Sequence, residues 1–117
     1  MKLAAIAALA AALVTALAVS NAFAAAPTLN GVVGPGFTIT LKQGTKKVSK
    51  LKAGAYVFKI ADKSPIHDFH LTGPGVNKKT TVGGSGTFTW KLTLKKGTYK
   101  YVCDPHSSFM HGSFTVS

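Results

Sequence analysis

The sequence predicts an all-β domain, a sandwich of seven or eight short strands in two packed sheets. Several segments alternate apolar with polar side chains at period two, the signature of strands with one buried face. Glycine-rich turns separate those segments, with twelve glycines in 117 residues. From Pro27 to Ser117 no sustained helical period interrupts the pattern, and threonine and valine are abundant.

Residues 37–41 (Phe-Thr-Ile-Thr-Leu) form the first alternating strand, and residues 56–60 (Tyr-Val-Phe-Lys-Ile) the next. A turn through residues 62–65 leads to a short strand at 69–71, which reverses at Thr72-Gly73-Pro74-Gly75. Residues 87–94 give the cleanest alternation, with Phe88, Trp90, Leu92 and Leu94 on one face and threonines with Lys91 on the other. After a turn at 95–97, strands at 98–103 and 113–116 close the domain. No repeat, linker or second domain is visible.

The first residues have a different character. Met1-Lys2 is a short positive start, residues 3–19 are apolar apart from Thr15, and Asn21-Ala22-Phe23-Ala24 offers small residues for cleavage. That is the layout of a secretory signal peptide, so residues 1–24 are expected to be removed and 25–117 to remain as one domain. The mature protein is expected in the periplasm or outside the cell, with no membrane span. About 93 residues then support one thin core. Cys103 is the sole cysteine, so no internal disulfide reinforces it; in an oxidising compartment the thiol must be buried or held by a metal.

All fourteen basic residues are lysines, against Asp62, Asp68 and Asp104, for a formal net charge of +11. Loss of Lys2 with the leader leaves about +10. Acidic protein partners, anionic surfaces or polyanions suit such a field. Nucleic acid is a poor candidate despite the charge: there is no arginine for bidentate contacts, no binding motif, and the chain is expected to be exported.

The chemistry concentrates at Cys103-Asp104-Pro105-His106-Ser107-Ser108-Phe109-Met110, where a loop before the last strand can bring three donor side chains to one point. His67 shares parity with Phe69 and Leu71, so it faces inward at the mouth of an earlier strand, at the rim of the sandwich. Thiolate and thioether suit copper(I), and imidazole suits both copper oxidation states, so this donor set favours neither state strongly. Structural zinc sites seldom use methionine. His70 and His111 read as surface histidines. Pro105 and Phe109 read as an apolar collar, and Trp90 and Tyr101 as core.

In Ser64-Pro65-Ile66-His67-Asp68-Phe69, in residues 97–106 and in Met110-His111-Gly112, the chain resembles the cupredoxins, the small blue copper proteins, and most of all their plastocyanin and amicyanin branch. The resemblance covers nearly the whole mature domain and implies a cupredoxin-like Greek-key sandwich. It also implies a single copper ion, cycling between Cu(I) and Cu(II), ligated by His67, Cys103, His106 and Met110. Three residues separate His106 from Met110, one more than in amicyanin and one fewer than in plastocyanin. Asp68 stands where the family usually has asparagine; a carboxylate still accepts backbone hydrogen bonds but cannot donate when ionised.

The function expected is a soluble, monomeric one-electron carrier with no catalytic turnover, docking on redox partner proteins through their acidic patches. The alternative is a periplasmic copper carrier or buffer without electron transfer, although such proteins usually offer several methionines and the mature chain has only Met110.

Overall fold

A computed structural model describes residues 22–117, so residues 1–21 of the expected signal peptide lie outside the described residues; 22–25 form a turn. Among the described residues no helix is long and apolar enough to cross a membrane.

Alternation sorts the side chains as the sequence indicates. In β5 (Gly54–Asp62), Tyr56, Phe58 and Ile60 are buried and Lys59 is exposed. In β8 (Gly86–Leu94), Trp90 and Leu94 are buried and every threonine is exposed. Phe88 departs from the expectation, at 37% exposure. Since β8 is the edge strand of its sheet, one flank of Phe88 has no neighbouring strand to cover it.

The other strands are β1 (Thr28–Val33), β2 (Ile39–Gln43), β3 (Lys46–Lys47), β4 (Lys50–Leu51), β6 (His70–Gly73), β7 (Val76–Lys79), β9 (Gly97–Val102) and β10 (His111–Val116). The described residues thus hold ten strands, two of them only two residues long. They form two five-stranded sheets, β3-β2-β1-β5-β8 and β4-β10-β9-β6-β7. Most neighbours are antiparallel, while β1–β5 and β4–β10 are parallel pairs whose members are distant in sequence. The strand expected at 37–41 begins two residues later, because Gly34-Pro35-Gly36-Phe37 forms an irregular loop.

Between the sheets, the ring of Phe69 stacks on Tyr101 (centroids 5.5 Å apart) and Tyr99 stacks on Phe114 (5.2 Å). Tyr101 lies so close over Gly112 that a Cβ there would collide with its ring. Trp90 and Tyr101 are core residues, as expected. Lysines lie on the outside: all those described are exposed. Across the first sheet, register sets Lys47 opposite Lys42, Lys42 opposite Asn30, and Asn30 opposite Lys59.

A buried polar network braces the segment that follows β5. Thr80 Oγ1 donates to Asp62 Oδ2 (2.9 Å) and accepts the Phe69 N–H (2.9 Å). Asp62 Oδ1 also accepts the Ser64 N–H, at 3.3 Å. Asp62 and Thr80 are 2% and 4% exposed, so these bonds operate away from water and fix the path of residues 62–69.

Candidate metal centre

Three chain segments meet at one end of the sandwich: the 34–38 loop, the stretch from β5 to β6, and the loop from β9 to β10. The last is tightly wound. Asp104–His106 forms one turn of 3-10 helix with Pro105 in its first turn. His106 N–H donates to Cys103 O (3.0 Å), and Met110 N–H to His106 O (2.9 Å). Cys103 N–H in turn donates to Met110 O (3.0 Å), closing the loop on itself. Backbone bonds therefore set the positions of Cys103, His106 and Met110 before any metal arrives.

His67 and Cys103 are 0% exposed, Met110 is 1% exposed, and His106 is half-buried. His67 Nδ1 lies 3.2 Å from His106 Nδ1, and Cys103 Sγ lies 3.6 and 3.5 Å from those two nitrogens. A point equidistant from the three atoms is about 2.0 Å from each, the length of a metal–imidazole bond and a little short of a metal–thiolate bond at about 2.3 Å. These three atoms would hold a first-row metal ion, and the donor set of two nitrogens and a sulfur suits copper. The fold therefore unites His67 with Cys103 and His106, and buries Met110 in the same loop.

Burial pushes the Cys103 thiol above its ordinary range. An added cation must then displace the proton, since only the thiolate ligates strongly. Gly34, at φ +75°, passes against the His67 ring; a Cβ there would approach its Cδ2 to 3.0 Å. Glycine is required at that point for its conformation and for lack of a side chain.

Sequence reasoning missed Phe37, which it placed in a strand. Its ring sits edge-on to both imidazoles, at 5.3 Å from His67 and 5.0 Å from His106. Phe37 and Phe109 are 57% and 59% exposed, so together they form an apolar collar beside His106. The Gly-Pro-Gly run before Phe37 was the available sign that a loop, not a strand, carries it.

Asp68 accepts the Asp104 N–H at 2.6 Å, tying the His67 segment to the cysteine loop. Its pKa is raised to about 6, first by burial and then by the neighbouring Asp104 carboxylate. Asp104 shifts down, because its bonds to Asp68 and His70 outweigh burial. His70, read from the sequence as an ordinary surface histidine, is half-buried: its Nδ1 is 3.0 Å from both Asp104 oxygens and its Nε2 is 2.7 Å from Asn77 Oδ1. His111 is exposed, as expected.

Solved structures with the same fold include reduced rusticyanin (18% identity, 84% of this chain and 81% of that one, TM-score 0.56). Another is rusticyanin described as a copper protein (17%, 84% and 80%, 0.55). A third is rusticyanin from Thiobacillus ferrooxidans (18%, 84% and 79%, 0.54). At such identities the likeness shows the fold alone, and it does not single out the plastocyanin and amicyanin branch. Among curated protein sequences none matches the chain significantly. The model of the cupredoxin-like domain, by contrast, matches residues 5–116, starting within the segment expected to be a leader. With nearly its full length matched and its two sheets closing over a His–Cys–His cluster, the chain belongs to the cupredoxin-like domain family.

Proposed function

We propose that the protein is a type 1 copper protein that carries single electrons, with His67, Cys103 and His106 as the main ligands and Met110 as the axial one. The observation that carries this reading is the convergence of two imidazole nitrogens and one thiol within 3.6 Å of one another at the rim of the sandwich. Copper would supply a centre that gains and loses one electron with little rearrangement of its ligands.

The chain's own residues hold that geometry. The hydrogen bonds of the cysteine loop and the Asp68–Asp104 tie fix ligand positions, and the buried network at Thr80 fixes the His67 segment. Burial of His67 and Cys103 keeps water from the thiolate. Half-exposed His106, between Phe37 and Phe109, gives a partner close approach through an apolar patch. The exposed lysines favour an acidic partner, and association weakens as salt rises. We place the mature protein, residues 25–117, outside the cytoplasm as a soluble monomer. We keep the plastocyanin and amicyanin branch as the nearest model for its ligand loop, on the Cys-x-x-His spacing.

Adding copper(II) to the purified protein tests the reading. An intense band at about 600 nm, from charge transfer between thiolate and copper, is expected, together with reversible one-electron voltammetry. A colourless protein, or a spectrum unaltered by Cys103→Ala, overturns it.

A further inference from the structure

We propose that Asp68, His70 and Asp104 form a second metal site, adjacent to the first and separate from it, which takes a divalent cation of the Zn2+ class. The chain has only three carboxylates against fourteen lysines, yet two of the three are packed together around one imidazole. One ligand atom from each of Asp68, His70 and Asp104 lies within 4.8 Å of the others. Two carboxylates held this close need a positive species, a proton or a metal ion, to offset them.

Two further observations point to a metal. Asp68 is 0% exposed, and although its Oδ1 accepts the Asp104 N–H, its Oδ2 is buried with no hydrogen-bond partner. A buried oxygen with free lone pairs is a ligand atom waiting for a partner. The second observation is the orientation of His70. Asn77 Oδ1 can only accept, so His70 Nε2, 2.7 Å away, carries the hydrogen. A neutral ring then turns the lone pair of Nδ1 toward the Asp104 carboxylate, 3.0 Å from each oxygen. Only a positive species between them, a second proton or a metal ion, makes that arrangement favourable. Donation of the distal N–H to a carbonyl oxygen is how metal-binding imidazoles are held.

The dimensions agree. Two bonds of about 2.0–2.2 Å at roughly a right angle span about 3.0 Å, the Nδ1–carboxylate separation here. One nitrogen and two carboxylates suit zinc or copper(II), and are too few oxygens for calcium. His70 and Asp104 are 21% and 41% exposed, which leaves an entry path from solvent.

Calorimetric titration of zinc chloride into the full chain loaded with a single equivalent of copper tests the site. One zinc ion per chain is expected, with binding lost in His70→Gln and weakened about tenfold in Asn77→Leu, the size of a lost outer-shell partner. If the first cluster does not take copper, the chain binds two zinc ions and His70→Gln removes one of them, so failure of the copper reading gives a different count. No zinc beyond that held by the first cluster, or an affinity unmoved by both His70→Gln and Asn77→Leu, overturns the proposal.

Discussion

Thr80→Val removes one oxygen and almost no volume, and the structure gives it a large cost. The hydroxyl has two buried partners: it donates to Asp62 Oδ2 and accepts the Phe69 N–H, both at 2.9 Å. Asp62 is 2% exposed and Phe69 0%, so water cannot replace either bond. A buried group stripped of its partner costs about 1–3 kcal/mol, with charged groups at the upper end. Two such groups, one of them a carboxylate, give about 4 kcal/mol. For a domain of this size each kcal/mol shifts Tm by roughly 4–8 °C, so the variant should melt at least 15 °C lower, by roughly that conversion. Urea unfolding of the metal-free protein measures the loss directly. Thr80→Ser, which keeps the oxygen, is the control and should lose far less. Because the network braces the stretch carrying His67, the variant should also bind copper more weakly. A Thr80→Val loss below about 1 kcal/mol, or equal to that of Thr80→Ser, would refute the idea that these bonds hold the segment.

Met110→Leu conserves volume and should cost the metal-free protein less than about 1.5 kcal/mol, yet alter the spectrum and reduction potential of the copper form. Met110→Ala should cost about 2–5 kcal/mol as well, and an unchanged potential in Met110→Leu removes the axial assignment. Asp68→Asn keeps an acceptor for the Asp104 N–H but deletes a carboxylate beside the ligands, so voltammetry should record a higher potential; no change argues against an electrostatic role. In the metal-free protein burial lowers the His70 pKa, but the bonds to Asp104 and Asn77 outweigh it and the net shift is upward. The imidazolium's contribution is then fully present below the unfolded value of about 6.5 and lost as pH rises through the higher folded value. The urea midpoint should fall across that window in the wild type and not in His70→Gln; parallel pH profiles would contradict the assignment.

Local chemistry made much of this protein legible. Period-two alternation gave the buried faces of β5 and β8, and the inward parity of His67 followed from Phe69 and Leu71. The short reach from Cys103 to Met110 confined three donor side chains to one loop. Less was legible where a segment's role depends on a partner far along the chain. The sequence did not mark β1 as a strand, because Asn30-Gly31 weakens its pattern, and its place is set by parallel pairing with β5. Phe37 looked like a strand residue until the 34–38 loop was seen against the imidazoles.

Residue order alone therefore determined the class of fold and the kinds of donor atom available. Only the tertiary structure decided which atoms face one another: Nδ1 of both His67 and His106 toward Cys103 Sγ, and His70 turned to Asp104 and Asn77. The physical reason is range. Strand periodicity and loop length act over a few residues, whereas ligand convergence and carboxylate pairing join positions more than thirty residues apart, and those separations close only when two sheets pack.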